Sequence, residues 1–117
     1  MYLIDTNVIS DAFKGVSAPS VWLADVDPRH IFLSVVTVGE IERGVVIAAA
    51  KNPRKSALLA NWLSELRAEH ATRLLDVTEE VALRWGRIST GKARGDADGL
   101  IAATALVHDL TLVTRNV

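Results

Sequence analysis

Four short strand-like runs rich in apolar residues, separated by longer stretches of helical period, constrain this chain most. They are Tyr2-Leu3-Ile4, His30 to Val36, Leu74-Leu75-Asp76-Val77 and Leu110 to Thr114. A strand that is apolar at successive positions, rather than alternating, is built to be covered on both faces, as in a parallel sheet. Each intervening stretch carries helix punctuation. Asp5-Thr6-Asn7 offers capping side chains ahead of Val8, Ile9, Ala12 and Phe13, and Gly15 closes that helix. Pro19 suits the first turn of a second helix with Val21, Trp22 and Ala24, which Pro28 breaks.

Thr37 is expected to cap the next helix, with Glu40 in capping-box spacing and Ile41, Val45, Ile47 and Ala48 continuing it. Asn52-Pro53 interrupts. An amphipathic helix follows from Pro53 to about Ala71, with Leu58, Leu59, Trp62, Leu63 and Leu66 on one side. Thr78 opens a helix through Leu83, Trp85 and Ile88. Gly91 to Gly95 reads as a loop. Asp96 is expected to cap a buried helix from Ala97 to His108. Strands alternating with helices predict an α/β sandwich around a mostly parallel sheet.

At 117 residues the chain suits one domain, 1–117, with a single core. Half of the residues are hydrophobic and the mean hydropathy is +0.24, so apolar surface should remain for a partner. A net charge of −1 excludes a global basic field, and any nucleic-acid contact must be local. The absence of cysteine excludes disulfides, thiolate zinc sites and thiol catalysis. No basic leader or bilayer-length apolar run is present, so no membrane is expected and the cytoplasm fits best.

Against this background three carboxylates are misplaced. Asp5 closes the first strand, Glu40 interrupts the apolar stretch after the second, and Asp98 stands just before Leu100-Ile101-Ala102-Ala103. Asn116 lies past the last strand. Carboxylates tied to buried elements cost several kcal/mol unless compensated. In a parallel sheet the carboxyl ends of strands form the ligand edge, so these side chains are expected to meet there around a hard dication. Each also has a duller role: Asp5 as an N-cap, Glu40 as a capping-box partner, Asp96 and Asp98 as first-turn acids, Asn116 as a turn residue. Trp22, Trp62 and Trp85 are expected to pack, and His30, His70 and His108 form no triad with a nucleophile. Arg84, Arg87, Lys92 and Arg94 form either a solvated face or the border of a phosphate groove.

The residues Asp5-Thr6-Asn7-Val8-Ile9-Ser10 resemble the opening motif of PIN-domain ribonucleases, specifically VapC-type toxins of toxin–antitoxin modules. Ser34 to Gly44 is similar to the family's second motif. Asp98 to Ala105 and Leu112 to Asn116 are similar to its third and fourth, all in order along the chain. The resemblance implies a three-layer α/β/α PIN-like fold and a Mg2+- or Mn2+-dependent endoribonuclease. It implies Asp5, Glu40, Asp98 and Asn116 as catalytic residues, Asp5 and Asp98 as metal ligands, and Thr6 and Thr114 as supporting hydroxyls. A tRNA or rRNA substrate, a VapB-like antitoxin and a homodimer are implied as partners. Two departures stand out. Asn116 brings no charge where many members carry Asp, and family chains usually run past this point. Both favour an alternative, a catalytically weak PIN domain that serves as an antitoxin- or RNA-binding module.

Overall fold

A computed structural model describes residues 1–89 and 95–115. Lys92, Arg94 and Asn116 lie outside the described residues. Among the described residues the strands are β1 (Tyr2–Ile4), β2 (Ile31–Ser34), β3 (Leu74–Leu75) and β4 (Thr111–Val113). The helices are α1 (Thr6–Phe13), α2 (Ser17–Asp25), α3 (Val35–Lys51), α4 (Pro53–Glu69), α5 (Glu79–Ile88) and α6 (Asp96–Val107).

The strands form one sheet in the order β3-β2-β1-β4, with every pairing parallel. Because side chains alternate along a strand, the two faces separate cleanly. Ile4, Ile31 and Leu33 join Val8 and Ile9 of α1, Ile41 of α3, and Leu63 and Leu66 of α4 in one core. Leu3 points the other way, onto Ile101 and Ala105 of α6, flanked by Phe32, Leu75 and Leu112. Helix α5 packs on α6. The result is an α/β/α layering, with Leu3, Ile4 and Leu33 buried between the sheet and its helices.

Three local expectations are corrected. The second strand stops at Ser34, and Val35 and Val36 are helical. The Ser34 hydroxyl accepts the Val36 N–H at 3.0 Å, and this cap starts α3 despite the β-preference of two valines. Thr37 is therefore the third residue of α3 rather than its cap. Gly95 occupies the N-cap position of α6, leaving Asp96 as its first helical residue and Asp98 as its third. The expected punctuation holds at Asn52, whose Oδ1 caps α4 through Lys55 N–H, and at Thr78, which caps α5 through Val81 N–H. Gly15 turns the chain after α1 with φ +80°, a conformation glycine adopts without a Cβ penalty.

Strand order fixes where a ligand can sit. From β1 the chain moves outward to β2 and then β3, and returns through α5 and α6 to place β4 on the opposite flank of β1. The crevice at the carboxyl ends of β1 and β4 is thus a topological switch point. Asp5 follows β1 and Thr114 follows β4 there.

Candidate functional site

Asp5 occupies the N-cap position of α1, yet its side chain makes no capping bond. The backbone does that work: the Asp5 carbonyl accepts from Val8 N–H at 3.1 Å and Ile9 N–H at 3.2 Å. Its own N–H donates to the Val113 carbonyl at 2.9 Å, extending the β1–β4 ladder by one residue. The carboxylate is thereby held at the switch point with no local duty. Its Oδ2 receives a long contact, 3.4 Å, from the Thr114 hydroxyl. Among the described residues its buried Oδ1 has no hydrogen-bond partner. A buried carboxylate oxygen left unbonded is expensive.

Asp98, in the first turn of α6, shares a cavity of about 310 Å³ with Asp5, Asn7 and Thr114, walled by Ile101, Ala102 and Leu112. Burial raises the Asp5 pKa above its ordinary 3.8, and the negative charge of Asp98 raises it further; the Thr6 N–H, the Thr114 hydroxyl and the Arg115 charge act in the opposite direction. A carboxylate whose charge is disfavoured by burial and by a neighbouring acid is what a cation reconciles. The donor set fits Mg2+ or Mn2+, which bind through one or two carboxylates and keep several waters. Asp5 and Asp98 would hold such an ion.

Glu40 is placed differently. It lies on α3 beside a second cavity of about 450 Å³, which Thr6 also lines. Its Oε1 accepts from the Thr6 hydroxyl at 2.6 Å. Thr6 Oγ1 is in turn 2.9 Å from Thr37 Oγ1. Glu40 is therefore no capping-box partner, and it adjoins the Asp5–Asp98 cavity through Thr6 rather than sharing it. Among the described residues no three His, Cys, Asp or Glu side chains converge on one metal position. Thr6 thus joins the two halves: it follows Asp5 directly in the chain and its hydroxyl holds Glu40.

From the sequence, Thr37 reads only as a cap. A usable signal was present: residues three apart on a helix share a face, so Thr37 and Glu40 had to point the same way. Trp22 and Trp62 pack as expected. Trp22 meets Tyr2 edge-on at 5.2 Å, and Phe13 stacks on Trp62 at 4.2 Å. Buried His70 is tied by Nδ1 to the Leu66 carbonyl at 2.9 Å.

The fold and this acidic switch-point cavity define a known class. The PIN domain family matches residues 2–117, and the chain belongs to it. Among its relatives is the toxin FitB of Neisseria gonorrhoeae, 36% identical over 124 residues that cover 99% of this chain and 88% of FitB. The VapC ribonuclease Y4jK of Sinorhizobium fredii is 33% identical over 99% of this chain and 87% of its own. In three dimensions the chain is similar to the crystal structure of FitAcB from N. gonorrhoeae, with TM-score 0.84, 34% identity and 99% and 88% of the two chains covered. FitAB bound to the IR36 DNA fragment gives TM-score 0.86 at 33% identity, covering 99% and 85%. Among the described residues no helix is long and apolar enough to cross a membrane.

Proposed function

We propose that this PIN domain is a divalent-metal-dependent endoribonuclease, the toxin of a toxin–antitoxin pair. The observation that carries the proposal is the buried, unbonded Oδ1 of Asp5 opposite Asp98 at the switch point of the sheet. Bound Mg2+ or Mn2+ supplies positive charge against a phosphodiester and lowers the pKa of water. Asp5 and Asp98 would hold such an ion, with the Thr114 hydroxyl donating to the second oxygen of Asp5 at 3.4 Å. Glu40, bonded through one oxygen to Thr6, keeps its other oxygen to orient the attacking water. Water attack needs no protein nucleophile, in keeping with a chain without cysteine. Asn116 is proposed to lend a neutral carbonyl oxygen.

RNA as substrate is supported by relatives named VapC ribonucleases, and an antitoxin partner by solved relatives such as FitAB. A tRNA or rRNA loop as target, a homodimer and a cytoplasmic location belong to the same proposal. Single-stranded loops suit such a site because their bases and phosphates are splayed from the helix. The test is cleavage of a structured RNA during Mg2+ titration. Asp5→Asn and Asp98→Asn are each expected to lower the rate by at least a hundredfold, with circular dichroism unchanged. Cleavage by both variants at the parent rate refutes the assignment.

A further inference from the structure

Thr37 is fully buried, as is Thr104, and the two hydroxyls are spent differently. Thr104 returns its hydroxyl proton to a carbonyl of its own helix, Leu100 at 2.7 Å, the ordinary way a buried helical threonine is satisfied. Thr37 instead meets a hydroxyl on another helix, Thr6 Oγ1 of α1, at 2.9 Å.

Counting protons gives this contact a direction. A threonine hydroxyl has one hydrogen, and an ionised carboxylate only accepts. Thr6 spends its hydrogen on Glu40 Oε1 at 2.6 Å, so the hydrogen between the two threonines comes from Thr37. The chain therefore runs one way, Thr37 to Thr6 to Glu40. Each bond polarises the next, so a donor behind Thr6 strengthens the bond that Thr6 gives Glu40. With its oxygen occupied by Thr37, the Thr6 hydroxyl has little freedom to rotate away from the carboxylate.

The backbone makes this arrangement stiff. Thr37 and Glu40 are three residues apart on the same face of α3, and both face Thr6 at the first residue of α1. Thr6 immediately follows Asp5, so the relay ties the α3 acid to the residue that carries the unbonded carboxylate oxygen.

We infer that Thr37 is a positioning residue for Glu40, acting through the Thr6 hydroxyl and touching neither metal nor RNA. The inference rests on the nuclease reading for its catalytic consequence, but the geometry it asserts stands without it. Thr37→Val preserves shape and removes only the hydroxyl, whereas Thr37→Ser keeps the donor. Misplacing a water-orienting group by a fraction of an ångström to an ångström costs roughly ten- to a hundredfold in rate.

The experiment measures RNA cleavage at saturating Mg2+ together with Mn2+ binding by calorimetry and the crystal structure of Thr37→Val. The expected result is a roughly ten- to hundredfold lower kcat for Thr37→Val, with KM and Mn2+ affinity unchanged. Thr37→Ser is expected to recover most of the rate. In a Glu40→Ala background, Thr37→Val is expected to add nothing. A parental kcat for Thr37→Val overturns the inference, as does a loss that persists undiminished without the Glu40 carboxylate. If the unaltered chain cleaves no RNA, the nuclease reading falls and the crystal structure decides the inference by itself. A Glu40 carboxylate still within hydrogen-bond distance of Thr6 in Thr37→Val overturns it, and a displaced carboxylate supports it.

Discussion

Replacing Asp5 by Asn should make the metal-free protein more stable and the metal-loaded protein less stable than the parent. The reason is the buried Asp5 Oδ1, which has no partner among the described residues. Without a cation, Asp5 places negative charge in a partly desolvated position opposite Asp98, and its pKa rises, first from burial and then from Asp98. An unsatisfied buried polar atom costs about 1–3 kcal/mol, and more when charged. Asn also leaves a polar atom there, so only the charged part of the cost is recovered, about 1 kcal/mol. For a chain of this length that corresponds to roughly 4 °C in Tm. The sign with pH follows from linkage. The folded state holds the Asp5 proton more tightly than the unfolded state, so this group lowers stability as pH rises from about 3.8 through the raised folded pKa, and the deficit persists above it. Adding metal at about 100 times its Kd stabilises the parent by about 2.7 kcal/mol, enough to reverse the order. Scanning calorimetry in EDTA and then in excess Mn2+ should show the two melting temperatures cross. An Asn variant that melts below the parent in EDTA, or that gains as much from Mn2+ as the parent does, refutes the reasoning.

Two further predictions address the frame around the site. A Cβ built on Gly99 would lie 2.8 Å from both Cδ1 and Nε1 of Trp85, so Gly99→Ala should force α5 and α6 apart. The expected cost is about 1–3 kcal/mol, read by denaturant unfolding, with a shift in tryptophan emission; an unchanged midpoint counts against it. At the exposed turn before β2, side-chain and backbone hydrogen bonds from Arg29 hold Asp27 down at about 2. Arg29→Ala removes the side-chain share and keeps the backbone bond, so the Asp27 pKa in an NMR titration should move part of the way back toward 3.8. The stabilisation this pair provides is present above 3.8 and is lost as pH falls toward 2, and high salt should weaken it. An Asp27 pKa that stays near 2 in the variant would show that the Arg29 side chain is not its cause.

The sequence by itself determined the layers. Doubly apolar strands at Tyr2–Ile4 and Ile31–Ser34 leave no wet face, so helices must cover both sides, and the order of strands and helices is legible as alternating periods. Asn52 and Thr78 cap α4 and α5 as their local chemistry dictates, because a cap involves neighbours in sequence. Asp5 and Asp98 were legible as misplaced charges for the same reason: their cost arises from adjacent apolar residues. What the sequence could not decide was how distant side chains divide among contacts. Local spacing made Glu40 a capping partner of Thr37. Tertiary packing instead brought α1 against α3, so Thr6 took the Glu40 carboxylate and Thr37 turned its hydroxyl to Thr6, contacts spanning 34 and 31 residues. Ser34 likewise outcompeted two β-branched valines because one capping bond at a strand end redirects the backbone more strongly than strand propensity sustains it. Periodicity records which face is apolar. Only the packed sheet order β3-β2-β1-β4 places the ends of β1 and β4 side by side, where one carboxylate oxygen has no partner among the described residues.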